Sequence, residues 1–440
     1  MKDYYCLNLK FKDKKISDKI FHSHLFVNDK EMYFQIIDND TTSRIDSYFS
    51  MSENALGLFE ENFEVIDTEI SIMFDQSRIF KVVSFQNDDK NQYFTIYVSK
   101  ICLIHKNLHN EFVNEGVAYL NNNGLSVTNL FYSFFTNFKN KNTFSISRMN
   151  GMHDFYKIDN IKFRPELEFK NNEKRGSKKL TIKKIPTIKF NFEEIEFEEI
   201  KNRIQLICNF LSFCFSVRII VEKIVFRTED EIFIFRDTEP NNKTYISELT
   251  NNFRFLKENF TIDKILKTDW FSNYKTNEIS LTKAIDNFLH AREVSLGASF
   301  LLLFNIIEIF NINKNQEKFN FNISKDEMTK EIVSHFKQYL TDKNDEIEFE
   351  KKLEGVFNKI EYKPFKSPLE ETLKTNNIDP TKFGFTLNKL KRTRDSITHG
   401  SLSSIKEEDL KLQIYCIRKI AICLILSKFG LKDDLHKNVT

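Results

Sequence analysis

Two side chains that can move a proton and hold an anion sit close together near the C-terminus: Arg394 and His399, with Gly400 directly behind. Imidazole exchanges a proton near neutral pH, with a reference pKa of about 6.5, and a guanidinium grips an anionic group through paired N–H donors. A second arginine, Arg392, shares the helical face of His399 more closely than Arg394 does, the latter lying about 140° away on an ideal helix. Arg394 is taken as the principal cation and Arg392 as an auxiliary contact to an anionic phosphate. Asp395 stands one turn before His399, where it can orient the imidazole or serve as an ordinary helix-surface carboxylate.

Spacing alone is a weak signal, because a chain with nine histidines offers chance matches, and Arg148 to His153 repeats the pattern. That copy lies among strand-like segments with no helical stripe. The C-terminal copy lies in Leu387 to Gly400, where Leu387, Leu390 and Ile397 form an apolar stripe and Gly400 suits a left-handed helix end. Arg394 falls inside the stripe, so a cation rides on a face that should pack and requires a partner or a task. The competing reading has Arg394 running its stem along apolar surface and His399 acting only as a favourable cation at a helix C-terminus.

Arg-x4-His-Gly with a polar residue after the Arg resembles the catalytic motif of HEPN ribonucleases, matched here by Arg394-Asp395 through His399-Gly400. A β-rich region followed by such a domain is similar to the layout of the ApeA-like abortive-infection proteins of bacterial antiviral defence. Asp395 stands where many relatives have Asn. The resemblance implies an α+β chain ending in an all-α HEPN-like bundle, and a metal-independent endoribonuclease with no cofactor. It implies attack of the RNA 2′-OH on the adjacent phosphate to leave a 2′,3′-cyclic phosphate, with Arg394 and His399 catalytic and Asp395 and Arg392 supporting. Imidazole would move the proton and guanidinium would stabilise the developing phosphorane. RNA is the expected partner, with tRNA as a candidate, and DNA, lacking the nucleophile, should be inert. A homodimer or higher oligomer through the helical domain and a phage-derived activator are also implied. The alternative is a catalytically silent oligomerisation module whose β-rich partner domain binds a ligand or protein.

The elements that must position these residues divide the chain in two. Tyr5, Leu7, Leu9 and Phe11, then Met32, Phe34 and Ile36, alternate as half-buried strands do. A hairpin is expected from Ile79 to Phe85 returning through Tyr93 to Val98, and a turn at Asn122-Asn123-Gly124. Ile200, Ile204, Ile207 and Leu211 mark a helix, and strands are expected at 217–226 and 231–235. Linker composition at 237–243 sets the boundary, giving a β-rich sensing or regulatory domain at 1–245 and a helical region at 246–440, its HEPN-like part at about 280–430. Long helices are expected from about Ala284 to Phe310, around Phe349 to Ile360, and around Leu410 to Leu424. The last is apolar on all sides from Ile420 to Leu426, which suits a bundle centre or a second subunit.

Lys and Arg total 65 against 63 Asp and Glu, so no global field draws nucleic acid and any RNA contact must be local. The basic stretch Lys174, Arg175, Lys178, Lys179, Lys183 and Lys184 reads best as a solvated edge balanced by the glutamates at 193–199. His22-x-His24 and His105-x3-His109 have ligand spacing without a Cys or carboxylate cluster, so they read as surface histidines. Glu308, on the long apolar helix, is a buried-carboxylate candidate that could face the two arginines, but a partly exposed helix position is the commoner explanation, and it is left out of the site. The six cysteines include no C-x-x-C pair, and no apolar run approaches a membrane span of roughly 18 residues, so a cytoplasmic protein with no membrane partner is expected. A Walker loop, a dinucleotide fingerprint and a Gly-x-Ser-x-Gly elbow are all missing, which disfavours nucleotide hydrolysis and serine-hydrolase chemistry.

Overall fold

A computed structural model of the chain describes residues 3–12, 19–28, 31–38, 57–66, 71–74, 76–88, 91–107, 113–134, 146–148, 155–173, 180–238, 262–311, 322–340, 342–360, 366–401 and 405–431. The chain is α+β, β-rich before residue 238 and helical after 268. Its contacts separate two compact units, one holding the described residues before Arg254 with the short helix Ile262–Leu266, the other those from Thr268 on. The linker boundary expected at 245 lies outside the described residues. Ile262–Leu266 belongs with the β-rich unit, where Asp263 accepts a 2.8 Å hydrogen bond from Tyr156 Oη.

In the β-rich unit, the expected alternation builds a six-stranded antiparallel sheet in the order Phe63–Ile66, Asp3–Phe11, Ile20–Val27, Met32–Asp38, Asn91–Val98, Ile79–Asp88. Leu7, Leu9, Phe11, Met32, Phe34 and Ile36 are all buried on one face, as a two-residue period requires. That face packs against Ile72, Ile101, Leu103 and Ile234 of a second, eight-stranded antiparallel sheet. Each such side chain taken from water contributes about 1.5–3 kcal/mol. The hairpin of Ile79–Asp88 with Asn91–Val98 forms as expected, and Asn122–Gly124 is a 3-10 turn.

Helix α1, Phe197–Phe215, buries Ile200, Ile204, Ile207 and Leu211, and Phe197 at its start stacks on Phe226 and Phe233 of the second sheet. The strand expected from residue 217 begins at Val221 instead. Ser212 Oγ takes the Ile219 N–H, while the Asn121 amide takes the Ile220 N–H and donates to the Arg218 carbonyl, so these backbone groups are withdrawn from a ladder. Of the basic stretch, Lys174 to Lys179 lie outside the described residues; Lys183 and Lys184 stand on the strand Leu180–Phe192, paired with Lys170 and Phe169. His109 and His153 also lie outside the described residues. His22 and His24 bond Asn8 and Tyr4, and among the described residues no cluster of three or more His, Cys, Asp or Glu could hold a metal.

The helical unit contains α2 (Trp270–Thr276), α3 (Glu278–His290), α4 (Leu296–Ile309), α5 (Lys325–Phe336), α6 (Lys343–Ile360), α7 (Lys366–Thr375), α8 (Leu387–Thr398) and α9 (Glu407–Lys428). The single helix expected from Ala284 to Phe310 is two. After His290 the last amides reach back three residues, Arg292 to Leu289 and Glu293 to His290, and Ser295 turns extended at ψ 157°. This tightening ends α3 and lets α4 fold back onto it. Helix α9 packs on both, and Ile420 to Leu426 are buried on every side within one chain, so this stretch is bundle centre. Among the described residues no helix is long and apolar enough to cross a membrane.

Gly116 lies where an added Cβ would run into the Phe190 ring and the Cβ of Phe226. Gly116→Ala should lose about 1–3 kcal/mol of stability in urea unfolding. Burial pushes the Cys102 thiol up to about 12 and those of Cys416 and Cys423 up to about 11, and raises Cys208 and Cys214 also. Iodoacetamide at mildly alkaline pH should therefore alkylate the exposed Cys6 of the folded protein and spare the other five until denaturant is added, as peptide mapping would show.

Candidate active site

Helix α8 begins where Thr386 Oγ1 accepts the Lys389 N–H, after a 3-10 turn, Pro380–Phe383, that Gly384 closes at φ 83°. Its inward face is Leu387, Leu390 and Thr393, all buried, with Ile397 half-buried. The helix packs this face against α4. Arg394 lies on it, as the stripe requires, and the partner that its charge demands is Glu308, the last acidic residue of α4. Arg394 Nη2 meets Glu308 Oε1 at 3.2 Å, and Nη1 meets Asp395 Oδ1 at 3.1 Å.

Glu308 is the site residue that sequence reasoning left out. Its signal was a single acid in the apolar run Phe304 to Phe310, weighed as able to face the arginines and set aside for the commoner reading, since a contact across 86 residues has no local signature. Asp395 also takes a different partner from the one considered: its carboxylate meets Arg394 and not the imidazole of His399. The side chains of the pair are 39 % and 27 % exposed, so solvent screens it and its net contribution to stability is about 0–1 kcal/mol. What two carboxylates on one planar guanidinium supply is a fixed orientation.

The helix ends after Thr398 in a Schellman arrangement. Gly400, at φ 78°, donates to the Ile397 carbonyl at 3.1 Å, and Ser401 donates to Ser396 at 2.8 Å. His399 is therefore the C-cap, with φ −89° and ψ 10°, its own N–H still bonded to Asp395. The ring of His399 is exposed and has no side-chain partner among the described residues, and Arg392 is exposed with no carboxylate partner among them. The structure thus brings Arg394, Asp395 and Glu308 into contact, and leaves Arg392 and His399 open to solvent on the adjoining surface. Of the other Arg-x4-His copy, Arg148 pairs with Tyr132 on a two-stranded sheet, and His153 lies outside the described residues.

Residues 301–435 match the model of the Apea-like HEPN family. This chain carries an Apea-like HEPN domain. The matched span runs from within α4 through α9 and so includes Glu308, Arg392, Arg394, Asp395 and His399. No curated protein and no solved structure matches the chain. The match suggests a role of nuclease or abortive-infection type, and Arg392, Arg394 and His399 are carried within it on one helix and its C-cap.

The ion pair and the packing of this helix should separate experimentally. Glu308→Gln should change the urea-unfolding free energy by no more than about 1 kcal/mol, because a screened pair is lost. Leu390→Ala, on the same helix but fully buried, should cost about 2–5 kcal/mol.

Proposed function

We propose that this protein is a metal-independent endoribonuclease of abortive-infection defence, acting in the cytoplasm and cleaving RNA to leave a 2′,3′-cyclic phosphate. The observation that carries the reading is an exposed His399, with no side-chain partner among the described residues, one turn beyond a guanidinium whose orientation two carboxylates hold. In the reaction the 2′-oxygen forms a bond to phosphorus as its proton passes to a base, and the bond from phosphorus to the 5′-oxygen breaks as that oxygen takes a proton from an acid. Imidazole performs either transfer near neutral pH, and Arg394 holds the non-bridging oxygens as charge builds on the phosphorane. One chain provides one His399, whereas acting as acid and base together takes two. A second copy of the HEPN domain supplies the other, which accounts for a homodimer or larger assembly. Arg392 serves as an auxiliary phosphate contact, Asp395 and Glu308 aim Arg394, and tRNA is the candidate substrate. A phage-derived activator would release the activity.

One observation favours a second reading. Arg394 is already engaged by Glu308 and Asp395, as it would be in a silent oligomerisation module whose β-rich domain does the binding. Labelled total RNA, incubated in EDTA with purified wild type, Arg394→Ala or His399→Ala, separates the two. Cyclic-phosphate ends should come from wild type, with each variant slower by about 100-fold or more. Glu308→Gln should fall about tenfold to a hundredfold, since it misaims the arginine and spares the fold. Equal cleavage by all the proteins would refute this site, and no cleavage by any of them, even with infected-cell extract added, would favour the silent module.

A further inference from the structure

A cleft of about 640 Å³ opens between the C-terminal end of α7 and the start of α8, away from the ion pair of Arg394 and Glu308. Its volume falls in the range of small-molecule sites, about 300–1,000 Å³. Leu373, Ile378 and Leu387, themselves nearly buried, give it an apolar wall, while Lys374, Lys382 and Asn388 stand exposed at its border. Two carboxylates also border it, and Asp379 is held by the N–H and hydroxyl of Thr381 at 2.9 and 2.7 Å. With lysines and acids balanced over an apolar wall, the cleft is poorly made for a bare anion. It is well made for a flat heterocycle whose neighbouring phosphates reach the lysines.

Position supplies the second argument. Asn388, Arg392 and His399 are spaced four and seven residues apart and are all exposed, so they form one stripe along α8. The stripe begins at the cleft and ends at the imidazole, about 16 Å away along the helix axis. Arg392, with no carboxylate partner among the described residues, lies between. An extended single strand laid on this stripe would meet the cleft with a base, Arg392 with a backbone phosphate and His399 with the reacting 2′-OH.

We propose that the cleft between α7 and α8 seats one unstacked nucleobase of a single-stranded RNA, a few nucleotides from the scissile phosphate, and so selects where the chain is cut. This rests on the ribonuclease reading above. A base in duplex RNA is stacked and paired and cannot enter, so the cleft restricts cleavage to loops and single strands.

The test uses the full-length protein and end-labelled single-stranded RNA oligonucleotides carrying one 4-thiouridine at successive positions. In His399→Ala protein, irradiation should join the thiouridine to peptides spanning 370–388 from one position of the strand and from no other. Asn388→Trp, which fills the mouth of the cleft from an exposed helix position, should slow cleavage about tenfold or more with its circular dichroism unchanged. Lys382→Ala, at another exposed border position, should also slow it and decides the matter if the tryptophan disturbs the helix. Cleavage by Asn388→Trp and Lys382→Ala at the wild-type rate, with crosslinks outside 370–388, overturns the cleft and leaves the ribonuclease standing. Failure of the unsubstituted protein to bind or cleave any oligonucleotide, with infected-cell extract present, overturns both.

Discussion

Arg394 occupies the position between Leu390 and Ile397 where an aliphatic side chain would otherwise complete the packing face of α8, so the C-terminal unit has to bring a carboxylate to it. Glu308 near the end of α4 is that carboxylate, and Asp395 is the second. Solvent screens the pair, so what it fixes is less the stability of the unit than the aim of the guanidinium. The pair joins α4 to α8 and sets which way Arg394 aims, while Gly400 sets where α8 stops.

The rest of the unit makes the link rigid. Helix α4 is held on one side by α3, which folds back on it because the backbone tightens and turns at 291–295, and on another by α9, whose segment Ile420 to Leu426 is buried all round. Against that core, the end of α8 is shaped by one residue. Gly400 adopts the left-handed conformation that closes the Schellman bonds, which puts His399 at the cap with its ring in solvent. His399 is thus carried at a helix end with no side-chain partner among the described residues, while Arg394 is restrained by two carboxylates.

The β-rich unit obeys a different rule. Its first sheet is specified by strict alternation, so that one face of Leu, Phe, Ile and Met packs against the second sheet. Where local hydrogen bonding competes with that rule, it wins: Ser212 and Asn121 capture the amides of Ile219 and Ile220 and delay the strand after α1 to Val221. Near-balanced charge over the whole chain is consistent with a protein in which any RNA contact is local.

By itself the sequence determined the order of β-rich then helical halves, the buried alternation of the early strands, the stripe of α1, the all-round burial in α9, and the helix end at Gly400. Each follows from spacing within a dozen or so residues, and short-range periodicity survives in any fold that uses it. The HEPN resemblance was legible for the same reason, since its motif is contiguous. Only the tertiary structure decided that Glu308 is the partner of Arg394, that Asp395 turns to the arginine and not to His399, and that the apolar run from Ala284 to Phe310 breaks in two. A contact across 86 residues has no local signature, and the polar break at Arg292, Glu293 and Ser295 reads equally well as the exposed face of one continuous helix until α4 is seen folded back on α3.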